Sequence, residues 1–173
     1  WGGRARAIEN PTRARGARGG GGGRIYCTGG VTAGRYQWRE MTVDIDLKAD
    51  PEPDGLFEAI AFLKDDLDVN VELASPEDFI PAVPGWRERS LFIVRHGSID
   101  YFHYDPCGQV LAKLQRRHDR DLVDAAAFLR KGLVRKDQLW QLFLLSEPQL
   151  IRYPGVAAPS LRRAVSDFCT EGS

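Results

Sequence analysis

Residues 41–48, MTVDIDLK, alternate strictly: Val43, Ile45 and Leu47 fall on one side of an extended chain, Thr42, Asp44 and Asp46 on the other. The same period of two recurs in residues 67–74, LDVNVELA, where Val69, Val71 and Leu73 oppose Asp68, Asn70 and Glu72. Residues 90–105, SLFIVRHGSIDYFHYD, predict two more strands joined at the turn-type dipeptide His96-Gly97. A further short β-type run starts at Arg24-Ile25-Tyr26-Cys27 and stops at Gly29-Gly30. After it, Val31, Tyr36 and Trp38 predict a short helix, which Gly34 weakens by about 1 kcal/mol relative to alanine. Pro51 and Pro53 break the chain, and Asp54 offers an N-cap for a helix through Leu56, Phe57, Ile60 and Leu63.

At Asp105-Pro106 the period becomes helical. Asp105 as N-cap and Pro106 in the first turn open a helix with Val110, Leu111 and Leu114 on its apolar stripe. A second helix is expected over about 118–131, with Leu122, Ala125, Ala126 and Leu129 inward and Gly132 as its stop. Asp137 can cap a third, QLWQLFLL, and Ser160 can start a fourth through Leu161, Val165 and Phe168. The expected class is α/β of the α+β kind: a mixed sheet flanked by helices over about 24–105, then a helical half over about 106–173.

Charge changes the picture at the N-terminus. The 24 basic and 24 acidic residues cancel overall. Residues 1–24 nevertheless hold six arginines and one glutamate, so the rest of the chain is net acidic. Those residues also carry eight of the 18 glycines and almost no large apolar side chain. They cannot bury enough surface to offset their ordering entropy, so residues 1–23 are expected to be a flexible tail. An Arg-Gly arm on nucleic acid is the functional alternative. No window approaches 18 apolar residues and no signal-peptide pattern opens the chain, so a soluble, cytoplasmic protein with no membrane partner is expected. Cys27, Cys107 and Cys169 are too few and too widely spaced for a disulfide framework or a metal knuckle.

The candidate chemistry lies in the acids. Two aspartates one residue apart on a strand have Cα atoms roughly 7 Å apart on one face, so Asp44 and Asp46 can converge on a divalent cation. Glu72 has the parity to supply a third carboxylate, and it could also deprotonate an acceptor hydroxyl. The Gly29-Gly30 turn would let backbone N–H groups approach triphosphate oxygens closely. Lys113, Arg116 and Arg117, at i, i+3 and i+4, would form a basic helix face. Asp100 is an alternative third acid, but it shares its parity with Phe102 and Tyr104, which points to core. Trp86, with Arg87 and Arg89, could stack a base, although a packing anchor is the commoner role for such a residue.

The ensemble of a strand, Gly29-Gly30, thirteen intervening residues and then Asp44-Ile45-Asp46 resembles the signature of the polymerase-beta-like nucleotidyltransferases. TGGVTAGRYQWREMTVDIDLK, LDVNVELASPEDFIP and LAKLQRRHDRDLVDAAAFL are similar to segments of its minimal prokaryotic members, which include the toxins of abortive-infection toxin-antitoxin systems. The resemblance covers about residues 24–155 and implies a nucleotidyltransferase-type domain over 24–173, with Asp44, Asp46 and Glu72 as metal ligands. It implies Gly29, Gly30 and Thr42 on the phosphate side, and a pairing of Lys113 with Asp121 in which the lysine serves the nucleotide. The implied activity is transfer of a nucleotidyl group from an NTP to a tRNA or protein acceptor, with Mg2+ or Mn2+ as cofactor. A cognate antitoxin or toxin would be the partner. A nucleotide-binding partner protein without turnover is the alternative, as is RNA binding through the tail. Gly30 stands where many relatives carry serine, which removes a hydroxyl from the phosphate side.

Overall fold

Five strands, β1 (Gly23–Thr28), β2 (Asp44–Ala49), β3 (Asn70–Leu73), β4 (Leu91–His96) and β5 (Ile99–His103), pair in the order β3-β2-β1-β5-β4. They belong to a computed structural model that describes residues 22–37, 44–67 and 70–170. β1 runs antiparallel to β2 and parallel to β5, β2 is parallel to β3, and β4 and β5 form an antiparallel hairpin. The hairpin turns at Gly97, whose φ of 57° suits glycine. The sheet is mixed, as expected.

Register decides which side chains meet. Cys27 lies opposite Leu47, and Ile45 opposite Val71, so the apolar residues of three strands share one face. With Ile25 and Leu56 they form this unit's core, joined by Val31, Ile60, Ile93, Ile99 and Tyr101. Each such aliphatic side chain, once buried, contributes about 1.5 to 3 kcal/mol. Helices α1 (Gly30–Arg35) and α2 (Leu56–Leu67) serve that face: α1 packs on β1 and β2, and α2 on β3. Gly55, at φ 76°, directly precedes α2, so Asp54 lies one residue short of the cap position expected for it. The strands, α1 and α2 make one compact unit, residues 22–74 and 91–103 among those described.

The second unit joins residues 75–90 to residues 104–170. It contains α3 (Trp86–Arg89), α4 (Pro106–Arg116), α5 (Asp119–Arg130), α6 (Lys136–Ser146) and α7 (Ala158–Thr170), with 3-10 turns at Pro76–Asp78 and Glu147–Arg152. Residues 75–90 therefore belong with the helical half and not with the sheet part, where the chain order had put them. Buried contacts explain why. The Trp86 ring stacks on Tyr104 at 4.8 Å, and the Tyr104 hydroxyl donates to Glu77 Oε1 at 3.0 Å. Trp86 is thus a packing anchor, 5 % exposed.

A two-pronged ion pair completes this attachment. Arg89 donates from Nε to Asp105 Oδ1 at 3.1 Å and from Nη2 to Oδ2 at 2.7 Å, and its Nη1 donates to the Pro84 carbonyl at 2.8 Å. Asp105 also accepts the Cys107 N–H at 3.0 Å, the N-cap role expected of it, while its own N–H donates to Ser90 Oγ. Burial pushes the Asp105 carboxyl upward, and the guanidinium opposes that push.

Two helices depart from what their sequences predict. On α5 the inward residues are Asp121, Asp124, Ala125, Ala127 and Phe128, whereas Leu122 is 40 % exposed. The face is rotated because two carboxylates are drawn inward by cations on α4. On α6, Asp137 sits inside the first turn and pairs with Arg135 instead of capping the helix. α7 begins at Ala158 and buries Leu161, Ala164 and Val165. Among the described residues no helix is long and apolar enough to cross a membrane.

Asp105 is fully buried, so Arg89→Ala leaves an uncompensated charge and is expected to destabilise the chain by about 3 kcal/mol. Arg135→Ala breaks only an exposed pair and is expected to leave the midpoint unmoved. Urea denaturation followed by circular dichroism measures both.

Candidate active site

The alternation that sends Ile45 and Leu47 into the core sends Asp44 and Asp46 to the opposite sheet face. Parallel pairing sets Asp44 beside Asn70 and Asp46 beside Glu72, so the three acids share that face. Asn70 links two of them: its Nδ2 donates to Glu72 Oε1 at 2.8 Å and to Asp44 Oδ1 at 3.4 Å. An amide between two carboxylates offsets part of their mutual repulsion. On the other flank Thr28 pairs with Asp46, and its hydroxyl donates to the Asp46 carbonyl at 3.4 Å.

Directly after Thr28 the chain turns at Gly29, with φ 59° and ψ −124°, a conformation that L side chains avoid. A Cβ at Gly29 would lie 3.1 Å from Asp46 Oδ2. The turn backbone is therefore drawn up against the carboxylate, and glycine is required on two counts. Gly30 is buried at the start of α1. Thr42 falls outside the described residues, as do Trp38 and the tail. Among the described residues no three His, Cys, Asp or Glu side chains are grouped closely enough to enclose a metal ion.

In the helical unit Lys113 and Asp121 do meet, but in a buried place and not on the basic helix face expected for the lysine. The Lys113 ammonium is buried and donates to Asp124 Oδ2 at 2.9 Å and to Asp121 Oδ1 at 3.4 Å. Arg116 Nη2 donates to the same Asp121 oxygen at 2.6 Å, and its guanidinium lies 4.7 Å from the Phe79 ring centre. Two cations thus face two carboxylates. Arg117 is not part of a basic helix face, because at φ 57° it forms the left-handed cap that ends α4. Asp100 stands apart from the three acids, in an exposed two-pronged pair with Arg95.

Four residues that sequence patterns did not single out belong to these groups: Asn70, Asp124, Thr32 and His103. Asn70 and Asp124 carried a signal, since each lies at i±2 or i+3 from a chosen acid on the same face. Thr32 and His103 carried none, being 71 positions apart. Their side chains meet in the core of the sheet unit, Thr32 Oγ1 to His103 Nδ1 at 3.2 Å. Tyr36 tilts over the imidazole at 5.6 Å between ring centres, and His103 Nε2 is buried with no hydrogen-bond partner among the described residues. Burial, followed by the charge of Arg35, lowers the His103 pKa from 6.5 to about 4.

The chain matches no protein-family model, and no curated protein or solved structure was found to match it.

Lys113→Ala would take the buried ammonium from Asp124 and leave Asp121 to Arg116, and is expected to destabilise the chain by about 3 kcal/mol, with Lys113→Ala/Asp124→Ala recovering part of that loss in urea titrations. His103 gives a pH effect of definite sign. The unfolded chain protonates near pH 6.5 and the folded one only near 4, so the stability tied to the neutral ring is full above 6.5 and is lost as pH falls toward 4. Thermal unfolding midpoints measured between pH 7 and 4 are expected to fall more steeply in the native chain than in His103→Asn.

Proposed function

We propose that the chain is a metal-dependent nucleotidyltransferase, moving a nucleotidyl group from an NTP to an RNA or protein acceptor. The observation that supports this reading is that Asp44, Asp46 and Glu72 share one sheet face beside a glycine turn drawn up against Asp46. The donors suit Mg2+, with Mn2+ as a substitute, because all three are hard carboxylate oxygens. Mg2+ keeps several waters and takes one or two carboxylates together with substrate phosphates, so Asp44 and Asp46 suffice without a closed cage. When bound, it would neutralise charge developing on the leaving pyrophosphate.

The chain's own residues do the rest. Asp44 and Asp46 would hold the metal ion on the acid face, and the open backbone at Gly29 and Gly30 lets phosphate oxygens approach. Glu72, opposite Asp46, accepts the proton of the acceptor hydroxyl as its oxygen bonds to the α-phosphorus. The bond from the α-phosphorus to the bridging oxygen then breaks, and pyrophosphate departs.

Incubation with each α-labelled NTP, Mg2+ and a cell extract tests the reading by showing which macromolecule becomes labelled. Asp44→Asn and Asp46→Asn keep shape and remove charge, and each is expected to abolish labelling. Glu72→Gln should lower it at least about hundredfold, and Asp100→Asn should leave it unchanged. Full labelling by either aspartate variant would end the reading.

A further inference from the structure

The glycine turn beside Asp46 needs an anchor that it does not contain. Helix α1, which follows it, is only six residues long and has no side-chain cap, too short to hold itself together in water. What fixes it is tertiary. Among its buried residues, Gly30, Thr32 and Ala33, Thr32 alone has a polar side chain, and that side chain meets His103. His103 is the last residue of β5 and sits opposite Cys27 on β1, in the paired centre of the sheet. The imidazole is 3 % exposed, and Tyr36, just past the end of α1, tilts over it.

A bond between two buried side chains on different elements fixes their distance, because breaking it strands a donor or an acceptor. The chain from His103 through Thr32 and α1 ends at Gly29, where an added Cβ would lie 3.1 Å from Asp46 Oδ2. We propose that His103 is a positioning residue: through its bond to Thr32 it sets the Gly29-Gly30 turn against Asp46, and so sets how well that site receives a nucleotide triphosphate. The inference rests on the proposed function for its ligand. A hydrophobic residue at position 103 would pack there as well but could not fix the hydroxyl, which gives the polar residue its purpose.

The test titrates MgATP, MgGTP, MgCTP and MgUTP separately into the full chain by calorimetry. Thr32→Val and His103→Leu, each checked for folding by circular dichroism, are expected to raise the Kd of whichever nucleotide the native chain binds by about tenfold. Because both act through one bond, the double variant should be no weaker than either single one. Thr32→Ser keeps the hydroxyl and His103→Asn keeps a polar atom near the Nδ1 position, so both should bind within about threefold of the native chain. Should Thr32→Val or His103→Leu not fold, the imidazole nitrogen NMR shifts of native His103 decide: they move when the nucleotide is added if ring and turn are coupled, and stay still if they are not. Folded variants that bind as tightly as the native chain, or weaken binding additively, overturn this inference alone. A native chain that binds none of the four nucleotides ends the proposed function and this inference with it.

Discussion

Strand β2 must satisfy two opposed demands at every second residue. Ile45 and Leu47 have to be dry, because with Cys27 and Val71 they are the core of the sheet unit. Asp44 and Asp46 have to stay on the other face, because a carboxylate turned into that core would meet no cation among the residues that form it. A slip of one residue would exchange the two sets, so the register of β2 against β1 and β3 is fixed far more firmly than hydrogen bonds alone would fix it. Everything on the acid face follows from that register: Asn70 beside Asp44, Glu72 beside Asp46 and Thr28 on the opposite flank.

The helical unit is governed by charge where the sheet unit is governed by alternation. On α5 the apolar residues Leu122 and Val123 face outward while Asp121 and Asp124 face in. Turning two carboxylates inward is unfavourable unless cations meet them, and Lys113 and Arg116 do. Arg89 and Asp105 repeat this arrangement where residues 75–90 join α4. In both places removing a single partner is worse than replacing the pair, so the charges are held as sets.

This contrast explains what could be read from the chain. The strands at Ile25-Tyr26-Cys27, Asp44-Ile45-Asp46 and Val71 were legible because period two is a local property, and the turn at Gly97 and the cap at Asp105 were legible from single residues. The shared face of Asp44, Asp46 and Glu72 followed from parity alone. The face of α5 was not legible from hydrophobicity, since it depends on partners eight and eleven residues away on another helix. Nor was the placement of residues 75–90, which is decided by the pairings of Trp86 with Tyr104 and of Arg89 with Asp105 across a strand hairpin. Thr32 and His103 were the least legible, because neither residue type announces a buried partner 71 positions away.

The polar groups near the acids divide into two kinds with different consequences. Asn70, Asp44 and Glu72 are exposed, so water competes for every bond among them and their arrangement can yield to an incoming ligand at small cost. Thr32 and His103 are buried, so their bond has no water to replace it, and the imidazole stays neutral because burial and the Arg35 charge both disfavour the cation. A site that takes a charged ligand needs both properties. Its ligand-facing carboxylates must be free to change partners, while the backbone behind them must not move when they do. Gly29 lies at the boundary between the two, in contact range of the Asp46 carboxylate on one side and leading into the Thr32 anchor on the other. A side chain at position 29 would both strain the turn and push against Asp46, so the demand for glycine there comes from the rigid backbone and from the adaptable carboxylate together.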